Sequence, residues 1–337
     1  MKFGVGLPTC TAGMMYPTPF ATAAEVVDIA AEAEQLGYYE VAGNDHFTTQ
    51  QYVRESFTTP PDFFEPLITY SYIAARTSVL RLMTGIMVFP MRHPVLLAKQ
   101  LATLDQLSGG RVIVGAGVGA YREEFVNSFP RLASAHRGKI MDETMESVRM
   151  LLNEHRASFD GEYVSFNDIE MYPKALQDPL PIYAAGNADA TLRRAADYGQ
   201  GWLPAGLGAE GIRSGWDRLS AYAMKAGRSI DEFAIAPQVI VCIADTQDEA
   251  EETFKSSQLF HHLVTLQQST LKDVDVSSYV TNNLVGTPEH VQAKVQEFYD
   301  AGASHLCGIY FAANDVEGLR QQMRRFGREV LPAYSIT

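Results

Sequence analysis

Several features that define other classes of protein are scarce or missing in this sequence. It has three cysteines, Cys10, Cys242 and Cys307, which stand far apart and form no metal-binding spacing. No apolar stretch approaches membrane-spanning length, and the first residues, Lys2–Pro8, lack the apolar core and cleavage site of a signal peptide. We therefore expect a reduced, cytoplasmic protein without a disulfide framework, a bound metal or a membrane segment.

Positive charge is also in short supply. The chain of 337 residues carries a formal net charge of −13, and no local basic run offsets it. Such a surface repels nucleic acid and anionic membranes, so a small organic molecule is the expected partner. Hydrophobic residues make up 46% of the chain, enough for one large core. Barrels of alternating strands and helices commonly reach this length, which predicts one domain over residues 1–337.

The stretch Leu80–Gly119 predicts two βα units in succession. Leu80–Val88 is typical of a buried strand, although a short apolar run does not exclude a buried helix. Its internal Gly85 marks either a bulge, a close approach of a flat group, or simple packing. His93–Leu107 has an amphipathic helical pattern, and Arg111–Gly119 is a strand with three alternate glycines. A flat ligand could rest against Gly85 and Gly117.

Strand and helix alternate along most of the remaining chain. Short apolar runs predict strands, for example at Ile235–Ala244 and His305–Phe311, and amphipathic segments such as Thr22–Leu36 predict helices. Counting the strands gives roughly eight, which predicts an α/β fold of the (β/α)8 or TIM-barrel type.

Two segments interrupt the alternation and are interpreted as insertions. Ser158–Phe166 places Asp160-Gly161 between two short β-prone runs, which favours a β-hairpin. Gln258–Asn283 is less regular and predicts a lid over one face of the barrel. We interpret its His261-His262 pair as part of that lid or as a solvated helix face, since no third metal ligand is evident.

In a barrel of this kind the functional groups lie at the carboxyl ends of the strands. Those ends hold few ionisable residues, chiefly Asp45 and His46, and several glycines and alanines. They contain no nucleophile elbow and no spaced pair of histidine ligands. A groove with few charges and exposed backbone favours an enzyme whose cofactor carries the chemistry. His46 alone is compatible with either a catalytic role or a solvated loop.

Several runs of sequence resemble one family over nearly the whole chain. They are DHF (Asp45–Phe47), RHPVLLAKQLATLDQLSGGRVIVGAGVG (Arg92–Gly119), REEF (Arg122–Phe125), PIYAAGN (Pro181–Asn187), LRRAADYGQGWLP (Leu192–Pro204) and VGTPEHV (Val285–Val291). Together they are similar to the bacterial luciferase-like family of flavin-dependent monooxygenases and deazaflavin F420-dependent oxidoreductases. The resemblance implies a βα barrel that holds an isoalloxazine-type ring at the carboxyl ends of its strands.

The resemblance also implies roles for individual residues. Gly85-Ile86 falls where many relatives hold a non-prolyl cis peptide bulge behind the ring. Ala185-Gly186-Asn187 falls where relatives bind the cofactor phosphate, and N–H groups at the start of a following helix suit an anion. Asp45 and His46 fall on the loop that contacts ring or substrate, which makes His46 the candidate catalytic residue. Trp202 is either a pocket wall or barrel filling, and we count it with Gly117 among the cofactor-binding candidates.

The cofactor implied by the resemblance is F420 or FMN. Asp45-His46-Phe47 and the GWLP run at Gly201–Pro204 are more similar to the F420-using branch, whereas Ala120 stands where sugar-phosphate dehydrogenases of that branch have a glutamate. The alternatives are an FMNH₂- and oxygen-dependent monooxygenase, a flavin-binding protein without turnover, and a cofactor-free or metal-dependent hydrolase. Because relatives commonly dimerise, we expect a homodimer formed through the helices Thr22–Leu36 and His93–Leu107.

Overall fold

The structure, a computed structural model, describes residues 1–268, 271–272 and 274–334. Within these residues the strands are β1 (Lys2–Leu7), β2 (Glu40–Gly43), β3 (Arg81–Val88), β4 (Val112–Gly117), β5 (Ala157–Asp160), β6 (Ser165–Ile169), β7 (Ile182–Ala185), β8 (Gly201–Leu203), β9 (Ala234–Ile235), β10 (Gln238–Ile243), β11 (Leu284–Gly286) and β12 (His305–Phe311). The α-helices are α1 (Ala23–Gln35), α2 (Gln51–Ser56), α3 (Pro66–Arg76), α4 (Pro94–Ser108), α5 (Arg122–Ser128), α6 (Arg137–Asn153), α7 (Asp189–Tyr198), α8 (Ala209–Lys225), α9 (Gln247–Ser256), α10 (Gln258–Thr265), α11 (Pro288–Asp300) and α12 (Val316–Glu329).

Ten of these strands form a single sheet, in the order β11-β10-β12-β1-β2-β3-β4-β7-β8-β9. Every described pairing between neighbours in this sheet is parallel. The chain is thus an α/β fold with a parallel sheet, as the alternating pattern predicts. Because parallel neighbours point the same way, the loops that follow β2, β3, β4, β7 and β8 meet at one edge.

The sheet is curled, and its two ends approach each other at Gln238. Ala205, just beyond β8, pairs with Gln238, and Gln238 pairs on its other side with Cys307 of β12. The single strand predicted over Ile235–Ala244 is broken here into β9 and β10. Pro237 lies in the break, where it cannot donate a ladder hydrogen bond.

The remaining two strands, β5 and β6, pair antiparallel outside the main sheet. They cover the segment for which the sequence predicts a hairpin. The turn between them is closed by a hydrogen bond from the Gly161 N–H to the Val164 carbonyl, 2.8 Å long. Glu143 of α6 holds the same turn by accepting the backbone N–H groups of Tyr163 and Val164.

Local sequence signals account for where the predicted helices begin and end. Thr22 and Glu25 form a capping box at the start of α1. Gly109 ends α4 with a φ of 71°, a left-handed conformation that glycine adopts without strain. α3 was not predicted, although Glu65 caps it and Pro66 occupies its first position.

Buried side chains lie on both faces of the sheet. A small cluster inside the curl includes Ala42, Met83, Ile113, Leu203 and Cys307. A larger cluster lies between the sheet and the surrounding helices. Strands buried on both faces show continuous apolar runs rather than alternation, which explains the pattern of β3 and β4. In the part of the chain described, none of the helices is both long and apolar enough to cross a membrane.

Candidate active site at the carboxyl ends of the strands

A cavity of about 180 Å³ opens at the edge where β2, β3, β4, β7 and β8 end. Much of its wall consists of residues with little or no side chain: Gly85, Gly119, Ala120, Ala185, Gly186 and Ala205. Asp45, His46 and His262 also line it. The cavity is therefore mainly apolar, with a few polar groups at defined places, as ligand sites usually are.

The floor of the cavity is the peptide between Gly85 and Ile86. This peptide is cis, and the register of β3 against β4 shifts between Thr84 and Met87. Nε2 of Gln238 donates a hydrogen bond to the Gly85 carbonyl oxygen at 3.2 Å. Gln238, which the sequence did not single out, thus connects the meeting point of the sheet ends to the floor.

Gly117 supports the floor from outside the cavity. A Cβ atom at this position would lie 2.3 Å from Cδ1 of Ile86. Gly117 is not among the residues that line the cavity. Its missing side chain instead leaves room for Ile86.

His46 follows β2 and points one ring nitrogen at a carboxylate. Its Nδ1 lies 2.9 Å from Oε2 of Glu124, on α5, and 3.2 Å from Nε2 of Gln50. Glu124 is 3% exposed, and it also accepts hydrogen bonds from the backbone N–H groups of Phe47 and Thr48. The His46 side chain is only 11% exposed, so the ring is held rather than solvated.

The charge of Glu124 determines which nitrogen of the His46 ring carries the proton. Burial alone would raise the pKa of Glu124, but the bond to His46 and the N–H groups of Phe47 and Thr48 outweigh burial and lower the pKa. An ionised carboxylate accepts a hydrogen bond from Nδ1–H, which fixes this tautomer. Nε2 is then the ring nitrogen that carries no proton in the neutral imidazole.

Asp45 is engaged mainly with Arg92. Oδ1 accepts from Nη2 of Arg92 at 2.7 Å, and Oδ2 accepts from Nε of Arg92 at 3.1 Å and from the Val88 N–H at 3.0 Å. Arg92 also binds Glu65 at 2.9 Å. Asp45 lines the cavity, but both of its oxygens position the loop that carries His46.

The predicted phosphate loop follows β7. Ala185 and Gly186 line the cavity, and Gly186 has a φ of 125°. Asn187 does not line it, because its amide is committed to Ala205: Nδ2 donates to the carbonyl at 2.9 Å, and Oδ1 accepts the N–H at 3.2 Å. Ala188 precedes α7 without a side-chain cap, so the first N–H groups of that helix have no such partner.

Trp202 lies on the helix side of the sheet, not in the cavity. It is fully buried, and its ring packs on α8, where a Cβ at Gly215 would lie 2.0 Å from Cη2. Its Nε1 donates to the Gly186 carbonyl oxygen at 2.8 Å. The ring of Trp202 therefore matches neither interpretation, since it packs between the sheet and α8 and contacts the β7 loop only through the Gly186 backbone.

His261 and His262 occupy different environments. His261 is exposed, whereas His262 is 5% exposed and lines the cavity. The interpretation of both residues as a solvated helix face is therefore wrong for His262. A helix of eight residues shows too little periodicity to distinguish the two from sequence.

The described residues contain no group of three or more His, Cys, Asp or Glu side chains placed to hold a metal ion. Among the sequence-predicted residues, the cavity wall includes Asp45, His46, Gly85, Ile86, Ala185 and Gly186. Glu124 and Gln238 were missed. The REEF run contained Glu124 but carried no information about its partner.

Two curated relatives align with nearly all of this chain. The FMNH(2)-dependent dimethylsulfone monooxygenase of Pseudomonas putida is 25% identical over 98% of this chain and 94% of its own. The F420-dependent glucose-6-phosphate dehydrogenase of Kineococcus radiotolerans is 26% identical over 91% of this chain and 92% of its own. The chain is thus similar, to nearly the same degree, to users of both cofactors.

The fold is also similar to that of a solved structure. The monooxygenase RslO1 from Streptomyces bottropensis superposes with a TM-score of 0.78 at 24% identity, covering 99% of this chain and 100% of that one. A family model described as luciferase-like monooxygenase matches residues 1–305. The chain belongs to the luciferase-like monooxygenase family.

Proposed function

We propose that this protein is an oxidoreductase that binds a reduced flavin-type cofactor, F420, in the cavity and acts on a small organic substrate. The similarity to an F420-dependent dehydrogenase over 91% of the chain supports the choice of cofactor. The observation that carries the proposal is the His46–Glu124 pair beside a cavity with small walls and a bulged floor.

The residues present fit such a group. Gly85, Ala185, Gly186 and Ala205 leave a space without bulky side chains, which suits a planar ring, and Ile86 would lie behind that ring. The start of α7, which no side chain caps, suits a phosphate, since a helix N-terminus favours an anion. Asp45 would act by positioning the His46 loop through Arg92.

Reduced F420 supplies a hydride when bound. His46 would supply or remove the matching proton at the substrate oxygen through Nε2, while Glu124 stabilises the imidazolium that forms when Nε2 takes up a proton. Hydride transfer to a carbonyl carbon and proton transfer to its oxygen together give an alcohol. The walls of the cavity would exclude water from that exchange.

An FMNH₂- and oxygen-dependent monooxygenase is the second candidate. The similarity to a dimethylsulfone monooxygenase over 98% of the chain favours it. The same cavity and the same start of α7 would serve a ring and a phosphate in either case. A flavin-binding protein without turnover is a third candidate, which turnover of any substrate would exclude.

Titration of the purified protein with F420 and with FMN, followed by ring absorbance, tests the cofactor. We expect F420 to bind at micromolar concentration and FMN to bind more weakly. Tight binding of FMN alone, with substrate-dependent oxygen consumption, would overturn the F420 proposal in favour of the monooxygenase. Binding of neither cofactor would overturn the proposal as a whole.

We also propose that the curled sheet is an eight-stranded TIM barrel in which β9 and β10 act as one strand at Gln238, while β11 pairs with β10 as a ninth strand outside the barrel. The pairings of Gln238 with Ala205 and Cys307 support closure. β5–β6 and the segment Gln258–Asn283 would be its insertions, the second including residues 269, 270 and 273 outside the described ones. The pairing of β1 with β12 supports a single domain, proposed over 1–337.

A homodimer in the cytoplasm completes the proposal. Leu96 and Leu107 of α4 are 58% and 67% exposed, and Ile68 and Tyr72 of the neighbouring α3 are 70% and 58% exposed. The exposed apolar surface thus involves α3 rather than the predicted α1. Sedimentation should give twice the sequence mass, and a concentration-independent monomer would contradict the dimer. The three free, buried cysteines are compatible with a reducing compartment.

A further inference from the structure

A second cavity adjoins the candidate active site beneath α10. It measures about 70 Å³ and shares Met15, Ala205, Gln238 and His262 with the first cavity. Aliphatic side chains form much of its remaining wall: Val239, Ile240, Leu259, Leu263 and Leu271. The two cavities are thus parts of one space, and the second part is suited to an apolar group of a few carbon atoms.

His262 lies where the two parts meet, and one of its nitrogens is unused. Nδ1 has no hydrogen-bond partner within the described residues and almost no accessible surface, and the whole residue is only 5% exposed. Burial lowers the pKa of His262 to about 3, and the nearby His46 acts in the same direction. The ring is therefore neutral near pH 7. A buried polar nitrogen of this kind is destabilising unless a ligand or water satisfies it.

Other polar side chains around this space already have partners in the protein. Oδ1 of Asn283 accepts from the Ile240 N–H at 2.7 Å, and its Nδ2 donates to the Tyr279 carbonyl at 2.8 Å. The Tyr310 hydroxyl hydrogen-bonds to Oδ1 of Asn44. The unused nitrogen of His262 thus differs from these groups.

Two hydrogen bonds fix α10, the helix that carries His262. Nε2 of Gln258 donates to the Met14 carbonyl at 3.1 Å, and the Tyr279 hydroxyl donates to the Leu263 carbonyl at 3.1 Å. His262 is therefore held at the junction, which reduces the entropy lost when a ligand binds.

We propose that this space binds a neutral, mainly apolar organic substrate whose single hydroxyl or carbonyl oxygen hydrogen-bonds to Nδ1 of His262, once the imidazole turns that atom toward the cavity, while the apolar part of the substrate fills the second cavity. The inference rests on the proposed function, because the first cavity must hold the cofactor that reacts with this substrate. It disfavours sugar phosphates and other anions, since no lysine or arginine lines either cavity among the described residues.

Calorimetric titration with cyclohexanone as a neutral probe tests the inference, with cyclohexanecarboxylate as an anionic probe of similar size. His262→Leu removes the nitrogen and keeps an apolar side chain, and His261→Leu is the matched control on the exposed face. We expect cyclohexanone to bind at least tenfold more weakly to His262→Leu, and within twofold of wild type to His261→Leu. Cyclohexanecarboxylate should bind wild type at least tenfold more weakly than cyclohexanone.

A second variant, Leu263→Phe, narrows the second cavity and leaves the His262 side chain in place. It should weaken the binding of cyclohexanone at least fivefold. Equal affinity of wild type and His262→Leu would overturn the inference, because water alone would then satisfy Nδ1. Absence of binding by wild type at millimolar probe would overturn it too. Should neither F420 nor FMN bind while cyclohexanone gives the expected pattern, the proposed function fails and the apolar site remains.

Discussion

Nδ1 of His46 lies 2.9 Å from Oε2 of Glu124, and this contact joins two side chains that are 78 residues apart in the chain. The carboxylate is buried and accepts from four donors, in His46, Phe47, Thr48 and Gln50, while Arg92 fixes the preceding residue, Asp45. The imidazole is thereby set in one orientation before any ligand binds. Preorganisation of this kind is what a proton-transfer group needs.

Replacement of His46 tests its proposed role directly. We expect His46→Ala to slow the chemical step by about a hundredfold or more, as removal of a general acid–base group does. Single-turnover kinetics with bound cofactor measure this step. His155→Ala, at a histidine whose side chain is 69% exposed, is the control. An unchanged rate in His46→Ala would assign His46 a purely structural role.

Glu124→Gln separates the charge of Glu124 from its shape. The amide can still accept the N–H of Phe47, but it no longer stabilises a protonated His46. We expect the single-turnover rate to fall by about tenfold. Glu123→Gln, which alters a half-buried neighbour that accepts the Gln51 N–H, should leave the rate unchanged. An unchanged rate in Glu124→Gln would argue against electrostatic coupling between Glu124 and His46.

Gly117→Ala tests the support of the cavity floor. The new methyl group would push the end of the Ile86 side chain into the cavity, because only 2.3 Å separates the two positions. We expect cofactor affinity to fall by about tenfold, with a stability loss below about 1 kcal/mol, since a flexible side-chain end can move. Gly327→Ala on α12, where the nearest atom is 3.6 Å away, is the control. Unchanged affinity in Gly117→Ala would contradict this account.

Trp202→Phe distinguishes packing from cofactor contact. The substitution keeps a large ring against α8 but leaves the Gly186 carbonyl without the Nε1 donor. We expect the free energy of unfolding to fall by about 1–3 kcal/mol, while cofactor affinity changes by less than threefold. Denaturant unfolding and absorbance titration measure the two quantities. A large loss of affinity at unchanged stability would place the ring at the cofactor after all.

Glu40 and His305 form a buried pair at the opposite end of the strands. Glu40 is fully buried, and its Oε1 lies 3.5 Å from Nε2 of His305. Burial raises the pKa of Glu40 to about 8, against the opposing charges of Arg81 and Lys2. Burial, with the same two cations, lowers the pKa of His305 to about 3. Both groups thus favour their neutral forms in the folded protein.

These pKa shifts predict that the protein loses stability both as the pH rises and as the pH falls. Between about pH 4.5 and 8, Glu40 is protonated in the folded chain and ionised in the unfolded chain, so stability falls as pH rises. Between about pH 6.5 and 3, His305 is neutral when folded and charged when unfolded, so stability falls as pH decreases. Glu40 therefore lowers the free energy of unfolding only in the higher of these two pH ranges.

Glu40→Gln should therefore remove the loss of stability with rising pH and leave the loss with falling pH unchanged. We expect the variant to gain roughly 1–3 kcal/mol over wild type between pH 5 and pH 8, measured by urea unfolding at each pH. Glu170→Gln, whose side chain is 55% exposed, should follow wild type throughout. Parallel curves for Glu40→Gln and wild type would show that Glu40 does not titrate as stated.

Local patterns were enough to predict most of the sheet, but they left a bulge at Gly85 as one of three interpretations, and only the resemblance to relatives indicated a cis peptide there. The apolar run around Gly85 and the glycines of β4 are signals carried by neighbouring residues, so the floor of the cavity could be placed from sequence. The break between β9 and β10 could not, because Ala234–Ile243 is apolar except for Gln238 and only Pro237 indicates the break. Tertiary closure at Gln238, rather than local preference, determines that break.

The side chains around the cavity were harder to predict, for two physical reasons. Glu124 acts on His46 through space, and neither residue carries a local sign of the other. Trp202 lies in a strand of three residues that are buried on both faces, so no alternation indicates which way its ring points. His262 differs from His261 only through the packing of α10.

The hydrogen bond from Gln238 to Gly85 has a consequence for local opening. The same residue holds the ends of the sheet together and fixes the floor on which the proposed cofactor would lie. Transient separation of the strands at Gln238 would therefore release the floor as well. A ligand that needs an intact floor should slow amide hydrogen exchange at Gln238 and Cys307, although these N–H groups bond to the carbonyls of Pro204 and Pro237 rather than to the ligand.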